Sequence, residues 1–179
     1  MKEIKSSEDI REIANAFRES RILLSAIELG IFSVIDKHLI SAEDVAKKIN
    51  TDTRVTDRLL NALCAMGLLK KVKGRFFNSD LASKYLVEDK PDFMGNLFHT
   101  NHLWKSWSNL TESIKQGSSL KSEKTKEEKH NWTEAFIGAM HYRGVNQGKI
   151  LAMMIDLSNV EKIFVACGDL VATCRAGVL

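Results

Sequence analysis

The sequence predicts a mainly α-helical fold that contains one small β-hairpin. Three observations support this prediction. Apolar residues recur at steps of three and four over most of residues 10–66, the spacing changes to that of short strands over residues 68–80, and helical spacing resumes after Pro91. The chain has 179 residues, of which 44% are hydrophobic and 27% charged, so it is long and apolar enough to bury a substantial core.

One or two long helices are predicted between Asp9 and Ile35. Their apolar positions follow helical spacing: Ile10, Ile13, Ala14, Phe17, Leu24, Ile27 and Ile31. Residues 21–35 are apolar almost throughout, so we expect this part to be buried on more than one side. Gly30 is a suitable C-terminal stop, because glycine adopts the left-handed conformation that often ends a helix.

A helix, a turn, a second helix and a hairpin are predicted next, in that order. Ser41 can cap the first helix, residues 50–53 form a turn rich in capping residues, and Gly67 closes the second helix. Two short strands flank Lys73 and Gly74, where glycine tolerates the positive φ of a tight hairpin. This order predicts a winged helix-turn-helix.

A second helical region follows the hairpin. One helix is predicted to end at Gly117 with a single face made of Phe93, Leu97, Asn101, Trp104, Trp107 or Ser108, and Ile114. Residues 118–130 are polar and nearly charge-balanced, which is typical of a solvated linker. A last long helix is predicted to begin around Trp132 and to run to Asp156.

Composition narrows the functional classes. The net charge of +3 is too small to indicate a nucleic-acid partner by itself, and no apolar run approaches the ~20 residues that cross a bilayer. The first 17 residues lack the apolar middle of a signal peptide. Three cysteines without a CxxC motif, Cys64, Cys167 and Cys174, indicate a reducing environment. We therefore expect a cytoplasmic protein with no membrane role.

A winged helix-turn-helix has two competing uses. For DNA binding, the hairpin offers cations that could contact phosphates: Lys70, Lys71, Lys73 and Arg75. The front of the second helix, however, carries Asp52 and Asp57, whose carboxylates would oppose binding to phosphate. An ordinary solvated hairpin is the favoured interpretation, and a DNA-binding transcriptional regulator is the alternative.

The sequence contains no recognisable catalytic or metal-binding motif such as GxSxG, HExxH or a Walker loop. His99 and His102 could meet on one helical turn, but no third ligand stands at metal spacing, so packing or surface placement is favoured. Aromatic and thioether side chains that could wall a pocket for a flat ring are Phe98, Trp104, Trp107, Trp132, Phe136 and Met140. Core packing is the favoured interpretation of these residues on spacing alone.

The run from about Ser20 to Ile163 resembles the S-adenosylmethionine-dependent O-methyltransferases of the caffeate, hydroxyindole and bacterial small-molecule type. The segments that carry the resemblance are AIELGIF (26–32), SAEDVAK (41–47), RLLNALCAMGLL (58–69), the hairpin with residues 78–86, and FIGAM (136–140). The resemblance implies that the winged-helix domain serves homodimerisation through its N-terminal helices, which help to close the partner's pocket. The apolar residues 21–35 agree with this, because such a helix needs a partner surface.

The resemblance also implies an activity, a domain organisation and candidate site residues. Complete members of the family transfer a methyl group from S-adenosylmethionine to a small hydroxylated, aromatic substrate. Phe136 and Met140 match positions that line the substrate pocket, and Trp104 and Trp107 are further candidates. Residues 1–90 would be the dimerisation domain, and residues 91–160 would be a helical bridge and substrate lid.

The resemblance ends after residues 156–162. The family continues with an acidic residue and a glycine-rich loop of the approximate form DVGGGxG, which lets the backbone approach the cofactor. Here only Gly168 is retained, and the other positions carry Val165, Cys167, Asp169 and Val171. Residues 161–179 are interpreted as the vestigial start of a Rossmann-like domain in a truncated chain. No catalytic, cofactor-binding or metal-binding residue is assigned, and we do not expect this chain to bind S-adenosylmethionine well.

Overall fold

The computed structural model describes residues 3–118 and 126–154. The chain divides into an N-terminal unit, Met1–Phe93, and a C-terminal unit, Met94–Leu179. The described residues are mainly helical and contain a two-stranded antiparallel sheet, which confirms the predicted fold class. The predicted vestigial segment 161–179, with the altered loop around Gly168, lies outside the described residues.

Three helices, rather than one or two, occupy the beginning of the N-terminal unit. They are α1 (Ser7–Asn15), α2 (Phe17–Glu28) and α3 (Ile31–Ile35). Gly30 adopts φ 64° between α2 and α3, so the predicted stop is confirmed at this position. The apolar segment predicted to be buried on several sides is buried within its own unit, through Leu24, Ala26, Ile27, Ile31, Phe32 and Ile35.

The rest of the N-terminal unit confirms the winged helix-turn-helix. Its elements are α4 (Ala42–Ile49), α5 (Thr53–Ala65), β1 (Leu69–Val72), β2 (Arg75–Asn78) and α6 (Asp80–Tyr85). Ser41 caps α4 by accepting from the Asp44 amide at 3.1 Å, and Asp52 caps α5 by accepting from the Val55 amide at 2.9 Å. The hairpin turn has positive φ at Lys73 (47°) and Gly74 (77°), as a tight two-residue turn requires.

The hairpin is fastened to α3 through its second strand. Phe76 exchanges two backbone hydrogen bonds with Ile40, at 2.8 and 3.0 Å. The Asn78 side-chain amide donates to the carbonyl oxygens of Phe32 at 2.9 Å and Asp36 at 3.1 Å. The Phe32 carbonyl also accepts from the Asp36 backbone amide at 2.8 Å, which ends the helix, so the buried Asn78 amide adds a second donor there and holds the hairpin against the end of α3.

The C-terminal unit contains α7 (Asn96–Ser108), α8 (Leu110–Gln116) and α9 (Lys126–Met154). The prediction of a single helix ending at Gly117 is wrong, because the helix is interrupted at Asn109. The Ser108 hydroxyl donates to the Trp104 carbonyl at 2.9 Å, and the Asn109 amide donates to Ser106 at 3.2 Å, which is an i→i−3 bond.

The single apolar face predicted for this helix is also wrong. Trp107 is 69% exposed and Ile114 is 71% exposed, whereas Leu97 and Trp104 are half-buried. Helix α9 begins before Trp132, so residues 126–130 of the predicted linker are helical, and residues 119–125 lie outside the described residues. Within the described ranges, no helix has the length and apolar content needed to span a membrane.

Candidate functional site

The first candidate site is an apolar stripe on the N-terminal helices. We define the N-terminal stripe as Ile4, Ile10, Ile13 and Phe17, whose exposures lie between 54% and 61%. The last three are separated by three and four residues, which places them on one side of α1 and the start of α2. Helix α1 contains no buried residue. Exposed apolar surface of this kind is typical of an interaction site.

The N-terminal stripe lies earlier in the chain than residues 21–35, whose apolar sequence predicts a partner surface. Residues 21–35 were expected to need a second subunit, but their buried side chains are covered inside the N-terminal unit. The residues of the N-terminal stripe are exposed instead, and exposed apolar side chains elsewhere in the unit are Leu29, Leu39, Val55, Val72 and Leu81. The helical spacing of Ile10, Ile13 and Phe17 indicates an apolar side of a helix. The sequence does not show which apolar sides of its helices the domain buries in its own core.

The second candidate site is an aromatic cluster in the C-terminal unit, made of His99, Trp132 and Phe136. Trp132 and Phe136 lie one turn apart on α9, and their rings stack at 5.2 Å with an interplanar angle of 5°. The His99 ring of α7 meets both edge-on, with centroid distances of 5.6 Å to Trp132 and 5.3 Å to Phe136. Phe136 is still 37% exposed, so its ring is supported by its neighbours and accessible from outside.

The four candidate substrate-binding residues differ in their exposure and in the helix that carries them. Phe136 belongs to the aromatic cluster, and half-buried Met140 follows one turn later on α9. Trp104 on α7 is also half-buried, whereas Trp107 is mostly exposed. The contact of His99 with the aromatic pair joins two helices, so no local spacing in the sequence indicates it. In the described part of the chain, no group of three or more His, Cys, Asp or Glu side chains could hold a metal ion.

The side chain of Lys71, one of the cations of the hairpin, binds to two residues of α5. Its ammonium donates to Asn61 Oδ1 at 2.8 Å and lies 3.7 Å from Asp57 Oδ1. The same ammonium lies 4.5 Å from the centre of the Phe76 ring. Burial raises the pKa of the nearby Cys64 thiol, and the Lys71 charge opposes this shift. Lys71 therefore supports the fold of the hairpin, and Cys64 is a protonated thiol at neutral pH.

The comparisons with known proteins agree on one family. The model of the O-methyltransferase dimerisation domain matches residues 11–88. The 3-hydroxy-5-methyl-1-naphthoate 3-O-methyltransferase of Streptomyces sahachiroi is 26% identical over 170 residues, which cover 92% of this chain and 49% of that protein. Acetylserotonin O-methyltransferase of Bos taurus is 29% identical over 116 residues, covering 60% of this chain and 34% of that protein.

Solved structures show the same fold. An O-methyltransferase family protein from Burkholderia thailandensis matches with a TM-score of 0.68 at 24% identity, over 84% of this chain and 46% of that chain. Human N-acetylserotonin methyltransferase, solved in complex with S-adenosylmethionine, matches with a TM-score of 0.67 at 20% identity, over 88% of this chain and 52% of that chain.

The chain spans about half the length of the Streptomyces relative and a third of the bovine one. These relatives are methyltransferases and not DNA-binding regulators, so the DNA-binding alternative is set aside. The family match covers α1 from Arg11, the helix-turn-helix, the hairpin and α6. Over residues 11–88, this chain is therefore similar to the dimerisation domain of O-methyltransferases.

Proposed function

We propose that this chain is the dimerisation and substrate-lid portion of an S-adenosylmethionine-dependent small-molecule O-methyltransferase, and that it forms a homodimer through its N-terminal helices. The observation that carries the proposal is the N-terminal stripe, which leaves four large apolar side chains more than half exposed at the start of a dimerisation domain. The three cysteines without a CxxC motif support a reducing, cytoplasmic location.

The free energy of apolar burial favours a dimer in which the N-terminal stripe is covered. Burying one large aliphatic or aromatic side chain contributes about 1.5–3 kcal/mol, so a stripe of this size offers several kcal/mol to an association. Association costs an estimated 4–15 kcal/mol in lost translational and rotational freedom, so the stripe must be covered on both subunits to give a stable dimer. A two-fold axis achieves this because it presents the same surface from each subunit.

An acidic residue at the centre of the N-terminal stripe is expected to convert the dimer to monomers. The variant Ile13→Asp would bury a carboxylate in the apolar contact, and we expect the dissociation constant of the dimer to rise at least 100-fold, since burying an unpaired charge costs several kcal/mol. Sedimentation equilibrium over a concentration series measures this constant. Ile13 is 61% exposed, so the substitution leaves the core of the N-terminal unit intact.

The matched control adds the same charge to the opposite side of α1. Asn15→Asp changes one amide to a carboxylate two residues further along the helix, outside the N-terminal stripe. This variant is expected to keep the dissociation constant of the unsubstituted chain. A chain that is monomeric without any substitution, or equal effects of the two variants, would contradict dimerisation through the N-terminal helices.

We further propose that the aromatic cluster and Met140 form the substrate-lid surface. Phe136 presents its ring for stacking on a flat hydroxylated aromatic compound, Trp132 and His99 hold that ring in place, and the Met140 thioether adapts to the substrate edge. Trp104 on the neighbouring helix is included, and Trp107 is the outermost of the four candidates. Stacking on aromatic rings orients a planar methyl acceptor. Methyl transfer is accelerated when the acceptor is held in line with the donor.

The methyl donor of the complete enzyme is proposed to be S-adenosylmethionine, which would supply the transferred methyl group. The positions matching the cofactor loop lie outside the described residues, so no described residue is assigned to the cofactor or to removal of the hydroxyl proton.

The lid is tested with an aromatic probe. We expect Phe136→Ala to weaken binding of 1-naphthol about tenfold, because loss of one stacking ring removes about 1–2 kcal/mol. Quenching of tryptophan fluorescence reports the binding, since Trp132 stacks on Phe136. Ile137→Ala, at the adjacent and 60% exposed position, is the control and should leave the affinity unchanged. Equal affinities for Phe136→Ala and the unsubstituted chain would exclude Phe136 from the lid.

A further inference from the structure

Five residues between α6 and α7 lie on the surface of the N-terminal unit and make polar contacts with it. We define the connector as these residues, 88–92. The two residues before it, Leu86 and Val87, are buried, with 8% and 4% exposure. Within the connector, Lys90 is half-buried and the other four residues are exposed. The connector can therefore leave the domain without exposing the apolar core, which is typical of a segment that opens locally.

The connector contacts the end of α3 at two points. The Glu88 backbone amide donates to Ser33 Oγ at 3.0 Å, and the Lys90 ammonium lies 3.3 Å from Asp36 Oδ1. The Lys90 and Asp36 side chains are 33% and 35% exposed, so solvent screens this ion pair only in part. A hydrogen bond and an ion pair of this kind each contribute modestly, so a single substitution is enough to shift the balance between a bound and a released connector.

The contact at Asp36 involves an unusual backbone conformation. Asp36 has φ 40° and ψ −113°, a region that residues other than glycine seldom adopt. The Asn78 amide supports this conformation by donating to the Asp36 carbonyl at 3.1 Å. Asp36 Oδ1 is shielded from solvent and lies beside the Lys90 ammonium. An aspartate where glycine would be less strained indicates that its carboxylate is needed, and Lys90 of the connector is the cation that this carboxylate meets.

The connector determines the length of chain that can separate the N-terminal unit from α7. When the connector is bound, the contacts extend to Asp92, whose Oδ2 lies 3.7 Å from the Lys84 ammonium of α6. Residues 93–95 then lie between this contact and Asn96, the first residue of α7, and they span at most about 10 Å. After release, residues 88–95 lie between the buried Val87 and α7, and they span at most about 28 Å.

We propose that the connector is a conformational device that binds to and releases from the end of α3 through Ser33 and Asp36. Binding and release switch the chain before α7 between a short and a long form. The ion pair of Lys90 and the hydrogen bond of Glu88 act together, because both require residues 88–90 to lie on the domain. The inference goes beyond the proposed function and requires neither homodimerisation nor a bound substrate.

Native-state hydrogen exchange of the Glu88 amide in the full chain measures the opening of the connector. Lys90→Met removes the charge and keeps an unbranched side chain, so we expect the exchange rate of this amide to rise about threefold. The amides of α5 are expected to keep their exchange rates, because the connector opens without the rest of the unit. Cleavage after Glu88 by glutamyl endopeptidase, followed by mass spectrometry, is expected to accelerate by the same factor.

Two variants serve as controls. Lys90→Arg keeps the positive charge next to Asp36, and Lys48→Met removes the same charge at an exposed position of α4. Both are expected to exchange the Glu88 amide at the rate of the unsubstituted chain. An unchanged rate in Lys90→Met, or an equal rise in either control, would overturn the proposal. A rise of the same size in the α5 amides would also overturn it, because the connector would then open only with the whole unit.

Discussion

Replacing Phe76 with alanine is expected to lower the free energy of unfolding of the N-terminal unit by about 3–5 kcal/mol. Phe76 is fully buried, and its ring lies at the contact of β2 with the rest of the domain. Its backbone exchanges two hydrogen bonds with Ile40, so the strand is held in place and cannot move in to fill the space. The loss therefore includes the transfer free energy of the ring and the cost of the cavity.

Hydrogen exchange of the amides in α3 and α5 measures this loss specifically, because these helices belong to the N-terminal unit. Phe77→Ala provides the matched control. Phe77 is the next residue of β2, points to the other face of the hairpin and is only half-buried, so about 1 kcal/mol is expected. Equal losses for the two variants would mean that the ring of Phe76 is not a central part of the core.

Replacing Asn78 with aspartate is expected to lower the free energy of unfolding by about 2–4 kcal/mol at neutral pH. The Asn78 side chain is buried, and its amide nitrogen donates to the carbonyl oxygens of Phe32 and Asp36. A carboxylate has the same shape but no donor, so both carbonyls lose the hydrogen bond from this side chain and face a negative charge instead, although the Phe32 carbonyl still accepts from the Asp36 backbone amide. Asn78→Ala removes the same two hydrogen bonds without adding the charge.

The two variants differ in their response to pH. Burial raises the pKa of a carboxyl group introduced at this position above its unfolded value of about 3.9, so the folded variant binds more protons than the unfolded chain between these two values. Its stability therefore falls as the pH rises through this interval, and the deficit relative to the unsubstituted chain shrinks on acidification. Urea denaturation at pH 7 and pH 4.5 measures the two deficits. A constant deficit in Asn78→Asp, as expected for Asn78→Ala, would contradict the contact with the two carbonyls.

The sequence was most informative where local rules decide the structure. Ser41 caps α4, and Gly67 and Gly74 adopt positive φ at the end of α5 and in the hairpin, as their positions predict. These features depend on a few consecutive residues. The two helix breaks at Ala16 and Asn109 are not predicted by such rules, because apolar spacing continues through both positions and gives no sign of an interruption.

Contacts between residues that are far apart in the sequence cannot be predicted from such local patterns. The amide of Asn78 joins carbonyls more than 40 positions earlier, and no local pattern indicates such a partner. In the candidate lid, the stack of Trp132 on Phe136 follows from their spacing of four on one helix, but the His99 contact requires the arrangement of α7 against α9. The family resemblance indicates Phe136 and Met140, whereas spacing alone favours core packing.

The contact between Asn78 and α3 has a consequence for the order of folding. The end of the short helix α3 is bonded by a side chain more than 40 positions later, and α4, α5 and the first strand of the hairpin lie between the two partners in the sequence. Loop closure over such a separation comes late, because its entropy cost precedes the gain from the contact. Interactions formed after the transition state affect the unfolding rate more than the folding rate. We therefore expect removal of the Asn78 amide to raise the unfolding rate of the domain more than it lowers the folding rate.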